Sequence, residues 1–207
     1  MIRTLIDDVV KSYTERGVIE TDMPTDAVMS SVYRSLSGIV RFNAITPERH
    51  TVLEHSWNVG KVAGMLAPRE LVDLAGFMGM THDFGEVVVG DFVMPIKSGV
   101  FKEVYEKNYL PLERAFRAFV GGRLGIEDYD AKYGLVEKYV DTADGIVWRT
   151  EFYDDGELDA VIGKEGERHS LMYDYLRRRR NVPVTMEEFN ANLMRLAGLV
   201  QFGSRKR

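Results

Sequence analysis

Residues 134–147 read GLVEKYVDTADGIV. Val136, Tyr139, Val140, Ala143 and Val147 fall at steps of one, three and four, so they line one face of a helix with about 3.6 residues per turn. A half-buried strand would instead place apolar side chains at every second position. Three other stretches share the helical period. Val28, Val32, Leu36 and Val40 recur after Pro24-Thr25-Asp26, a favourable helix start. Leu112, Phe116, Phe119 and Val120 mark another face. Phe189, Leu193, Leu196 and Val200 mark the last, behind the capping box Thr185-x-x-Glu188.

A second capping box, Thr51-x-x-Glu54, opens the segment that contains His55. The β-branched run Val87-Val88-Val89 follows a helical signal directly and stops at Gly90-Asp91, so it reads as the end of a short helix. No hairpin pattern with Asn-Gly or Asp-Gly turns occurs. Loops are expected near residues 42–50, 91–100, 121–129 and 153–166, with Asp154, Asp155, Glu157 and Asp159 forming an acidic surface turn. The expected fold class is all-α: a single compact helical domain over residues 1–207, without repeats or a dividing linker.

Composition narrows the function. A length of 207 residues allows one domain with a sizeable core. The formal net charge of -5 argues against a broad electrostatic grip on nucleic acid, which needs a basic face, so no stable nucleic-acid partner is expected. The absence of cysteine excludes disulfides, thiolate-bound zinc and iron–sulfur clusters. No apolar stretch reaches membrane-spanning length, and MIRTLIDDVV carries two aspartates where a secretory signal carries its apolar core, so a cytoplasmic protein without a membrane partner is expected. The run Arg177-Arg178-Arg179-Arg180 and the tail Arg205-Lys206-Arg207 read as solvated helix ends.

Histidine is scarce: His50, His55, His82 and His169. The stretch Met80-Thr81-His82-Asp83-Phe84-Gly85-Glu86 is the most informative. Adjacent His82 and Asp83 can approach one ion from two directions, and Glu86 shares the helical face of His82. Imidazole with carboxylate suits Zn, Mn, Fe, Co or Ni. Two neighbours cannot enclose an ion, so further ligands must come from elsewhere. His55 and Asp144 are the best candidates, and Asp141, one turn before Asp144, is the alternative acid. An isolated His-Asp pair is more often a structural contact. His50 is expected in a solvated loop. Trp57 is expected in the core or as a base-stacking wall, and Lys97 as an exposed lysine or a phosphate contact.

The combined pattern is more specific. It comprises Arg41-Phe42, Glu54-His55-Ser56, His82-Asp83-x-x-Glu86, Gly90-Asp91, Pro95-x-Lys97 and Ala143-Asp144, within about residues 41–148. It resembles the HD-domain phosphohydrolase superfamily, nearest the bacterial 5'-deoxynucleotidases and their phage relatives, which include phage dATP triphosphohydrolases. The resemblance implies that His55, His82, Asp83 and Asp144 hold one divalent transition metal, with a further Mg accompanying the substrate phosphates. It implies that Glu86 handles the proton of a metal-activated water, that Asp91 sits near the scissile phosphate and sugar, and that Arg41 grips phosphate. Phe42 stands where the nucleotidases usually carry Trp beside the sugar, which puts strict deoxyribose selectivity in doubt. The implied reaction removes phosphate or triphosphate from 2'-deoxynucleoside 5'-phosphates. A non-catalytic nucleotide-binding regulator and a cyclic or alarmone nucleotide hydrolase are the alternatives. A homodimer or higher homo-oligomer is expected, partly from the resemblance and partly from Leu193, Met194, Leu196, Leu199 and Val200 late in the chain.

Overall fold

The computed structural model describes residues 24–41, 50–92, 97, 99, 101–179 and 183–204. Phe42, most of the expected loops at 42–50 and 91–100, Pro95, Arg180 and the tail Arg205-Lys206-Arg207 lie outside the described residues. Among those described, the structure is all-α, and extended pairing is limited to one antiparallel bridge between Val40 and Thr51.

Helix α1 spans Thr25–Gly38 and buries Val28, Met29, Val32 and Leu36. Val40, expected to prolong that face, instead forms the bridge, because the backbone turns extended at Ile39. The bridge carries Arg41 N–H to the His50 carbonyl at 2.8 Å and Val52 N–H to the Ile39 carbonyl at 3.0 Å. It therefore fixes Arg41 beside the start of α2, Val52–Leu66. The capping box at Thr51 and Glu54 forms as expected, satisfying two orphan donors of that first turn.

After a 3-10 turn at Arg69–Leu71, α3 runs Val72–Thr81. Its residues from Ala75 to Thr81 are all buried, so it is the central helix, apolar all round rather than on one face. The short α4, Glu86–Val89, confirms the helical reading of the valine run. A helical turn at Lys102–Val104 and a π-helical turn at Tyr105–Tyr109 lead directly into α5, Leu110–Arg123. The long α6, Tyr129–Phe152, packs across both α2 and α3.

The expected loop at 153–166 is instead a helix, α7, Asp155–Glu165. Asp154 caps it by accepting from Glu157 N–H at 2.9 Å, and acidic residues in its first turn suit the positive end of the helix dipole. Only Leu158 is buried along it, which is why no apolar period announced it. The loop expected over 121–129 is shorter at both ends, since α5 continues to Arg123 and α6 begins at Tyr129. Helix α8, Glu167–Arg179, places Arg177 2.6 Å from Asp159 of α7, so this arginine pairs with a neighbouring helix besides ending its own.

Helix α9, Met186–Ser204, begins behind the Thr185–Glu188 capping box. Its Leu193, Leu196 and Val200 are buried in the chain's own core, so they are not available to cover a second subunit; Met194 and Leu199 remain exposed. No helix among the described residues is long and apolar enough to cross a membrane.

Helices α2 and α3 approach most closely at glycines. A Cβ on Gly79 would lie 2.8 Å from Gly60 Cα and 3.0 Å from its N, backbone atoms that no rotamer change can move. Alanine at an open helical position normally stabilises relative to glycine by about 1 kcal/mol. Here overpacking reverses the sign. Gly79→Ala is expected to destabilise the protein by about 1–3 kcal/mol, measured as a lower midpoint of urea unfolding at unchanged slope.

Candidate metal centre

The α2–α3 crossing brings His55 and His82 together, with ring centroids 5.4 Å apart. Each imidazole is anchored through Nδ1. His55 Nδ1 lies 3.0 Å from Glu151 Oε2, and His82 Nδ1 lies 2.7 Å from the Gly79 carbonyl oxygen. A carbonyl oxygen can only accept, so His82 Nδ1 carries a proton, which leaves Nε2 as its candidate ligand atom. Both Nε2 atoms are buried and neither makes a hydrogen bond within the described residues.

Carboxylates surround those two atoms. His55 Nε2 lies 2.9 Å from Asp144 Oδ1, too far out of line for a hydrogen bond, and 3.6 Å from Asp83 Oδ2. His82 Nε2 lies 3.2 Å from the same Asp83 oxygen. Ligand atoms of His55, His82 and Asp144 all lie within 4.8 Å of one another, a grouping that could hold an ion. Asp83 touches both imidazoles and also accepts from Arg41 Nη1 at 3.2 Å. Asp141, the alternative acid, is exposed and is not in this group. Two anchored imidazoles with orphaned buried nitrogens, together with Asp144, could hold a divalent ion; Asp83 touches both imidazoles but falls outside that group.

His82 follows the last residue of α3, and its carbonyl is taken by Arg117 Nη1 of α5 at 2.8 Å. The preceding Thr81 hydroxyl donates to the Phe77 carbonyl at 3.0 Å or shares a proton with the Tyr129 hydroxyl at 2.6 Å. These contacts hold the end of α3 against α5 and α6.

The site opens into a cavity of about 240 Å³ lined by Arg41, Asp83, Glu86, Asp91, Lys97 and Asp144 among others. Lys97 is not an exposed lysine: its Nζ pairs with Glu86 Oε1 at 3.0 Å. Burial, with the charges of Asp83 and Asp91, pushes the Glu86 carboxyl well above the usual carboxylate range, against the pull of Lys97 and Arg41. Its Oε2 has no hydrogen-bond partner within the described residues. Burial would also raise Asp83, but the His82 contact, then His55 and Arg41, hold it well below the ordinary value. Burial works on Asp144 in the same direction and is outweighed by His55.

Trp57 does not line this cavity. It packs 6.2 Å from the Phe189 ring with Lys61 Nζ 4.5 Å above it, beside a separate cavity of about 70 Å³ that half-buried His50 also lines. Several residues of the main site went unnoticed in the sequence, among them Phe92, Arg149, Trp148 and Glu151. Glu151 holds both His55 Nδ1 and, at 3.5 Å, Arg41 Nε; Trp148 lines the cavity. Glu151 lies seven residues after Asp144, two helical turns on, and that spacing is the signal that could have exposed it.

Residues 52–120 match the HD domain. HD domains are in general metal-dependent hydrolases, and His55, His82 and Asp83 lie within the matched stretch. Asp144 and Glu151 follow it, and Arg41 precedes it. No curated protein and no solved structure matches the chain.

With no cation bound, burial and the Arg41 charge lower the His55 pKa, but Glu151 and Asp144 outweigh them and raise it to about 9. A ligating imidazole must be neutral, so a metal competes with that proton. Mn²⁺ binding near pH 7 is expected to release about one proton, and affinity is expected to rise with pH towards 9 and to weaken as pH falls. Calorimetric titration in buffers of different ionisation enthalpy checks the proton count. Glu151→Gln, which keeps an acceptor but loses the charge, is expected to weaken Mn²⁺ binding roughly 10- to 100-fold.

Proposed function

We propose that the protein is a metal-dependent phosphohydrolase that removes phosphate or triphosphate from 2'-deoxynucleoside 5'-phosphates by attack of water. The observation that carries this reading is the pair of anchored imidazoles, with orphaned buried Nε2 atoms, set among carboxylates at the head of a cavity that also holds Arg41 and Lys97. His55, His82, Asp83 and Asp144 would hold a divalent ion. Bound there, the ion offsets phosphate charge and lowers the pKa of water towards neutrality.

The remaining steps belong to the chain. Arg41 is fixed by Asp83 and Glu151, so its guanidinium meets a phosphate oxygen already oriented. Glu86 takes the proton from the attacking water and returns it to the leaving oxygen as the P–O bond breaks. A carboxyl pushed upward in pKa suits both halves of that transfer better than an ordinary one. Lys97 holds Glu86 Oε1 and leaves Oε2 for the proton. Asp91 lines the cavity where the sugar would lie. The narrower likeness to 5'-deoxynucleotidases rests on the motif run from Arg41-Phe42 to Ala143-Asp144.

Three variants separate the roles. Glu86→Ala is expected to lose roughly 10²- to 10⁴-fold in kcat while retaining its metal. His82→Ala is expected to lose metal and activity together. Arg41→Ala is expected to keep the ion and lose kcat/KM through weaker phosphate binding. Metal content of each purified variant is measured beside kinetics on a panel of deoxynucleoside mono- and triphosphates with Mn²⁺ or Co²⁺, with product identification. Near-native turnover by Glu86→Ala would remove Glu86 from the chemistry, and activity in all three would refute the reading.

A further inference from the structure

The cavity that adjoins the candidate metal centre has an apolar part that the proposed chemistry does not use. Trp148 and Phe92 line it together with Arg41, Asp83, Lys97 and Asp144. Trp148 lies four residues after Asp144, on the same face of α6, so the helix that offers a carboxylate to the centre also offers an indole one turn away.

Both rings are braced. Phe152 stacks on Trp148 nearly parallel, at 4.9 Å and 8°, and Tyr153 meets it edge-on at 6.1 Å and 90°. Phe92 is flanked by Tyr105 at 5.9 Å and Tyr109 at 4.8 Å. Rings held this way lose little freedom when a flat ligand packs on them. A cavity with cations and carboxylates at one end and fixed aromatic rings in its wall suits a molecule with phosphate at one end and a planar ring at the other.

We propose that Trp148 is the stacking wall for the base of a nucleoside 5'-phosphate, and so sets how strongly this site prefers a base-bearing phosphate ester over a bare sugar phosphate. The proposal rests on the phosphohydrolase reading and adds the base as the recognised group. Trp57, the other tryptophan, lines a different cavity and has no part in it.

The test compares substrates with and without a base. Wild type, Trp148→Ala and Trp148→Phe are assayed with Mn²⁺ on dAMP, dGMP and 2-deoxyribose 5-phosphate. Trp148→Ala is expected to lower kcat/KM for the two nucleotides roughly 10- to 100-fold, mainly through KM, and to leave deoxyribose 5-phosphate within about twofold. Trp148→Phe is expected to retain most of the nucleotide preference and guards against a folding defect. Binding is read separately in Trp57→Phe, where Trp148 is the single tryptophan. There dGMP is expected to quench the emission and deoxyribose 5-phosphate is not. If wild type hydrolyses nucleotides but Trp148→Ala loses base-bearing and base-free esters equally, the base wall is overturned and the phosphohydrolase reading stands. If wild type hydrolyses none of these or of the corresponding deoxynucleoside triphosphates, and no nucleotide quenches Trp148, both fall.

Discussion

The contact on which the site depends is the glycine crossing of α2 and α3. Gly79 and Gly60 meet backbone to backbone, with Gly76 also at the seam. His55 lies five residues before Gly60 and His82 three after Gly79, so the helix separation at the crossing sets the distance between the imidazoles. One added methyl thickness would move the helices apart by more than a coordination shell tolerates. Core packing and site geometry are therefore fixed by the same atoms, and α3 can be apolar all round because its polar work is confined to its last turn and the residues just after it.

The second constraint is charge. Asp83, Glu86, Asp144 and Glu151 converge around two cations, Arg41 and Lys97. Buried charge is costly unless paired, and the pairing here is unequal. Glu151 faces His55 and Arg41, which outweigh burial and lower its pKa. Glu86 faces Asp83 and Asp91, which add to burial and raise it. Two glutamates in one site are thus driven apart by their neighbours, one towards a permanent anion that anchors a ring and the other towards a group able to exchange a proton. A divalent cation bound between the imidazoles and aspartates would take the place of the proton that His55 carries without it.

Much of the helical framework was legible because its faces repeat. Val136, Val140, Ala143 and Val147 are buried together on α6, and both capping boxes formed where Thr and Glu stand three apart. The failures share a cause. Helix α7 buries only Leu158, so its hydrophobic period is silent and its acidic first turn resembles a loop. Val40 kept the apolar period of α1 after the backbone had left the helix, and in the bridge it is only half-buried. Glu151 and Trp148 share the helical face of Asp144 by spacing, but spacing alone does not say what that face meets. Their roles come from the way α6 lies across α2 and α3, which a residue pattern within α6 does not contain. Trp57 illustrates the converse: its closeness in sequence to His55 suggested the site, but two residues along a helix is about half a turn, and the side chain leaves by another face.

That geometry also accounts for the composition of α6 near its middle. Asp144, Trp148 and Glu151 stand at steps of four and three, so one stripe of a single helix presents a candidate ligand, an aromatic wall and the anchor of His55. The same stripe must leave room for whatever binds. Gly145 lines the cavity next to Asp144, and a Cβ there would meet nothing nearer than Arg149 Nη1 at 3.6 Å. The fold does not need this glycine, since neither a close approach nor a positive φ requires it. In a helix interior glycine costs about 1 kcal/mol relative to alanine. A larger side chain at 145 would project into the space beside Asp144.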